Sequence, residues 1–179
     1  SLFGFHMVPE CLIPKNQPLT VDRMKELNTS VFRPEQTLMQ SVKKKVDSGK
    51  YENWQQVFEK DYPIWEIAKQ TGNRMSYVVD PMSYDDENCL AQVKFLYEKN
   101  GGGYTLELGN EVYSMVAESR FPHAKDYFEW AKAFTAKVKE ISKDITCTAV
   151  VLSNESEMRI LGIYAGSPCR RVEQNRRRI

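Results

Sequence analysis

Only two histidines, His6 and His123, occur in the 179 residues, and four cysteines, Cys11, Cys89, Cys147 and Cys169, stand far apart with no CxxC pair. Zinc and related metals need ligands at close, repeated spacing, so no metal site is expected. Neither GxGxxG nor GxxxxGK[ST] is present, which removes the usual nucleotide-binding sheets and leaves no cofactor motif. No apolar run approaches the roughly 20 residues of a membrane helix, so no membrane span is expected. Neither sign of charge dominates: Lys plus Arg is 25 and Asp plus Glu is 24, so no global field selects nucleic acid. No signal peptide is visible, and the chain starts at Ser1, as a processed or excised piece would.

What is present suits a globular protein: 41% hydrophobic and 27% charged residues, enough for one domain with a real core. Residues 1–169 read as that domain. Residues 170–179 form a basic tail or the start of a truncated helix; no aromatics interleave its arginines, so a nucleic-acid platform is not expected. Cys89 and Cys147 fall in apolar patterns that suit buried free thiols, whereas Cys11 and Cys169 are disulfide candidates if the protein is exported. The sequons at Asn28 and Asn154 point the same way, toward an extracellular or secretory location.

Strand and helix patterns alternate along the chain. Strands are expected at residues 2–8, 29–32, 75–79, 104–108 and 146–152. The last is a continuous apolar run of the kind covered on both faces. Helices are expected at 19–27, capped by Thr20, at 35–46, at 54–71 with a break at Pro63, at 85–100 and at 122–142. Repeated βα units predict an α/β fold with a parallel sheet and helices outside it. Pattern alone leaves both an open doubly wound sheet and a barrel in play.

The stretch GGGYTLELGNEVYSM, residues 101–115, concentrates the chemistry. A short alternating strand runs into Gly109, which permits a tight turn, and then presents Asn110 and Glu111 together. With IWEIAKQTGNRMSYVVDP before it and FPHAKDYFEWAKAFTAKVKEI after it, this stretch resembles the clan A glycoside hydrolases, in particular the heparanase-like and arabinofuranosidase-like enzymes. In that clan an Asn-Glu pair ends the fourth strand of a (β/α)8 barrel, and this is the fourth strand here. The resemblance implies that Glu111 is the general acid/base and that Asn110 bonds the sugar's 2-hydroxyl. It makes a carbohydrate the expected partner. Arg33, Asp80, Tyr113 and Asn154 are the other strand-end polar groups on the same rim, where barrels of this kind build their sites, and are the expected substrate contacts. Arg33 resembles the family's second-strand arginine, although Glu35 and Gln36 stand where the family has a glycine pair.

A full barrel takes about 250 residues, and this chain supplies about five strands. The family's nucleophile, on the seventh strand, has no counterpart here. The expected architecture is therefore a partial barrel-like sheet carrying the acid/base half of a retaining glycosidase and inactive alone. The alternative is a non-catalytic half-barrel that binds carbohydrate or a protein. Open sheet edges would favour self-association. Glu107 is expected to be an ion-pair partner, with Arg33 as the candidate, and Trp65, Trp130 and Phe134 to be core residues. His6 is open to either a pocket or a packing role.

Overall fold

The computed structural model describes residues 4–112 and 120–150. Five strands, β1 (Gly4–Met7), β2 (Val31–Pro34), β3 (Arg74–Val79), β4 (Thr105–Leu108) and β5 (Thr146–Ala149), form one parallel sheet in the order β1-β2-β3-β4-β5. Helices α1 (Pro9–Leu12) and α2 (Gln17–Glu26) follow β1. After β2 come α3 (Thr37–Asp47), α4 (Trp54–Asp61) and α5 (Ile64–Thr71). Helices α6 (Asp86–Asn100) and α7 (Ala124–Ile141) follow β3 and β4. A doubly wound sheet reverses its strand order at a switch point. This sheet never reverses, and right-handed crossovers that always advance in one direction leave the helices on one side. The fold is a partial barrel-like run of βα repeats.

Alternate strand residues divide the two faces. Phe32, Met75, Tyr77, Leu106 and Leu108 are buried on the helical side, with Val57, Phe58, Ile67, Val93, Leu96 and Phe134 from the helices. Fully burying each such side chain contributes about 1.5–3 kcal/mol. Pro63 does divide the expected long helix, giving α4 and α5, and Asn53 caps α4 by accepting from Gln56 N. Asp85 caps α6 in the same way. Trp65 and Phe134 are buried, and Trp130, half-buried, stacks on Phe134 at 5.1 Å.

Some expectations need correction. Thr20 lies inside α2 and donates to Cys11 O, while Asn16 holds the cap position. The proline-rich segment after β1 contains the short α1, started by Pro9 at its first position, where a missing N–H costs nothing. In β5, Thr146, Thr148 and Ala149 are exposed, so the strand is not covered on both faces; among the described residues it has β4 alone as a neighbour. Cys89 is a buried free thiol whose pKa burial pushes up to about 12, and Cys147 is half-buried. Cys169, the tail and the boundary at residue 169 lie outside the described residues. Among those described, no helix is long and apolar enough to cross a membrane.

Candidate functional site

The face of the sheet turned away from the helices carries His6, Arg33, Ser76 and Glu107 on four neighbouring strands. Arg33 is the hub. Its single Nε–H is shared by both Glu107 oxygens, each at 2.8 Å, and the two side chains are each 24% exposed. Its Nη1 lies 3.2 Å from His6 Nε2. Because a guanidinium only donates, that ring nitrogen accepts. Its Nη2 donates to Asn110 Oδ1 at 3.0 Å. Ser76 Oγ, buried beneath, donates to Glu107 Oε1 at 2.6 Å. The Arg33–Glu107 ion pair expected from sequence is therefore present, and His6 joins the same network.

The end of β4 is shaped by two devices. Gly109 has φ +84, and a β-carbon there would meet Val112 Cγ1 at 2.6 Å, so both conformation and space require glycine. Tyr127 of α7 donates its hydroxyl to Leu108 O at 2.8 Å and accepts from Val150 N at 2.8 Å, tying the ends of β4 and β5 to one helix. Beyond the turn, Asn110 donates through Nδ2 to Gln36 Oε1 at 2.9 Å. Glu111 has φ +47, an uncommon left-handed conformation for a residue with a side chain, of the kind that gathers at functional sites. It is exposed, and its carboxylate has no hydrogen bond or ion pair among the described residues.

The other expected contacts fare differently. Asp80 is 1% exposed; its oxygens accept from Met82 N, Ser83 N and Ser83 Oγ, closing the turn between β3 and α6. That role holds a loop in place and leaves the carboxylate turned away from solvent. Arg120 braces the same turn through Pro81 O, Tyr84 O and Asp86 Oδ1. Tyr113 and Asn154 lie outside the described residues. Gln36 and Ser76 were not foreseen: nothing in a local pattern marks a glutamine 74 residues away as the partner of Asn110. A cavity of about 450 Å³ elsewhere is lined by Asp47, Trp54, Tyr84 and neighbours on α3, α4 and α6, and shares none of the Arg33 network. Among the described residues no three His, Cys, Asp or Glu side chains gather to hold a metal ion.

Comparison with protein-family models, with curated proteins and with solved structures found no match.

Proposed function

We propose that the chain carries the acid/base half of a retaining glycoside hydrolase site, with Glu111 as acid/base and Asn110 as the partner of the sugar's 2-hydroxyl. One observation carries the reading: an Asn-Glu pair ends β4, with the asparagine gripped by an arginine from the end of β2 and the acid left free toward solvent. Glu111 would protonate the departing glycosidic oxygen and later deprotonate the attacking water, while the bond from Asn110 strengthens as the ring gains oxocarbenium character. A retaining site needs a second carboxyl group about 5–5.5 Å from the first. Among the described residues, the strand-end carboxylates are committed: Glu107 to Arg33 and Ser76, Asp80 to its own turn, and Glu35 to Thr37 Oγ1. The nucleophile would have to come from outside them.

That shortage also favours the second reading, a non-catalytic module that binds carbohydrate on the same rim. Hydrolysis of a panel of aryl glycosides separates the two. The 179-residue chain, and any longer natural protein that contains it, would be assayed, each with Glu and with Gln at position 111. The expected result is no turnover by the chain alone and, in a longer protein that supplies the second carboxylate, a loss of about 10²–10⁴-fold on Glu111→Gln. Activated aryl leaving groups, which need no proton, should suffer least. An unchanged rate in that variant would remove the catalytic assignment. Saturable glycoside binding without turnover in any form would select the module.

A further inference from the structure

Both ends of the Asn110 amide are engaged. Arg33 can only donate, so Oδ1 must face it and Nδ2 must face Gln36. Turning the amide over would set donor against donor at Arg33, and an unpaired polar contact of that kind is costly. Arg33 is itself immobilised by Glu107, which Ser76 holds in turn. Gln36 closes the other end. Its backbone occupies the cap position of α3, yet its side chain makes no capping bond, so the amide oxygen is free for Asn110. With one N–H given to Gln36 and one Oδ1 lone pair given to a guanidinium, Asn110 keeps its second Nδ2–H as its one donor for a ligand, and the acceptor site left on Oδ1 lies beside the positive charge of Arg33.

We propose that Gln36 is a positioning residue: Arg33 fixes the polarity of the Asn110 amide and Gln36 holds that amide in place, so that Asn110 meets a ligand with its remaining N–H as a hydrogen-bond donor. The proposal rests on the reading of Asn110 given above. It selects sugars whose 2-position offers an oxygen acceptor, a hydroxyl or an acetamido carbonyl. It selects against a 2-ammonium group, which cannot accept from that N–H and carries the same charge as the neighbouring Arg33. No pocket-forming glycine pair is needed at residues 35 and 36 for this; the glutamine supplies the contact.

The test uses the full 179-residue chain with Gln36→Leu, Gln36→Glu and Asn110→Ala. The first readout is exchange of the Asn110 side-chain amide protons by NMR without ligand. Gln36→Leu should speed it by about 3–10-fold, and Gln36→Glu, which still accepts, should not. The second is binding of p-nitrophenyl β-glucoside and β-xyloside against their 2-deoxy and, for glucose, 2-amino counterparts. The unaltered chain should favour the 2-hydroxy forms, Gln36→Leu should lose about 3–10-fold of that preference, and Gln36→Glu should keep it. If Gln36→Leu changes neither readout, the proposal is overturned while the Asn110 reading stands. If Asn110→Ala leaves the preference unchanged, or the unaltered chain shows none, the reading of Asn110 fails and the proposal with it.

Discussion

The two faces of the sheet are made from the same strands and behave as different materials. In β2, Phe32 is wholly buried among the helices while the next residue, Arg33, is half-buried and bonds three polar partners. In β4, Leu106 and Leu108 are buried while Glu107 between them receives Arg33. One face contributes stability through apolar area; the other holds charged groups at fixed angles and leaves them partly wet. Because successive side chains point to opposite faces, the chain can build both from one strand of four residues.

The contrast is sharpest if mutations on one face unfold the protein and those on the other disarm it. The largest effect is expected from Phe32→Ala, which should cost about 3–5 kcal/mol in chemical denaturation, whereas Arg33→Ala beside it should cost far less and, on the proposed function, abolish glycoside binding. Equal destabilisation by the two would show that the polar network is itself part of the core. Glu107→Gln should be milder, about 1–2 kcal/mol at its partial exposure, because Arg33 loses its charged partner but keeps Asn110. Its binding defect should exceed what that loss of stability explains.

The smallest effect belongs to a polar cluster on the helical side, which serves as the control. Asp61 accepts from Lys45 at 2.6 Å, Lys50 at 3.3 Å and Tyr51 at 2.7 Å. Burial works to raise its pKa, but the Lys45, Tyr51 and Lys50 hydrogen bonds outweigh it and hold the carboxyl below the usual carboxylate range. A depressed folded-state pKa adds stability above the unfolded value, and that stability disappears as pH falls through the folded value. Asp61→Asn should therefore cost about 0.5–1 kcal/mol at pH 7. The gap to the unaltered chain should narrow once pH drops below about 4, with no change in glycoside binding. A gap that stays constant down to pH 2 would disprove the ionic origin.

Local signals were legible wherever the physics is local. The period of apolar residues marked α4 through α7 within a few residues, Pro63 divided α4 from α5, and Gly109 marked the turn that exposes Glu111. Thr20 was misassigned because a hydroxyl near a helix start has two local uses, and here it bonds Cys11 O. The covering of β5 was misjudged because an apolar run reports what a strand could bury, while the layers around it decide what is buried. Asp80 reads from sequence as one more strand-end acid. Only the turn around it shows that both its oxygens are spent on Met82 and Ser83.

The sequence by itself determined the alternation of strand and helix, the placing of Asn110 and Glu111 at the end of a strand, and the division of β4 into an apolar and a polar set. Tertiary structure decided the strand order, and with it the single-sided helical layer that a doubly wound sheet would not have. It also brought Arg33 and Gln36 to Asn110 across 77 and 74 residues of chain. The reason is the range of the forces involved. Helix periodicity and turn chemistry act over a few residues, whereas the meeting of β2 with the end of β4 depends on the register of β2, β3 and β4, which no short stretch encodes.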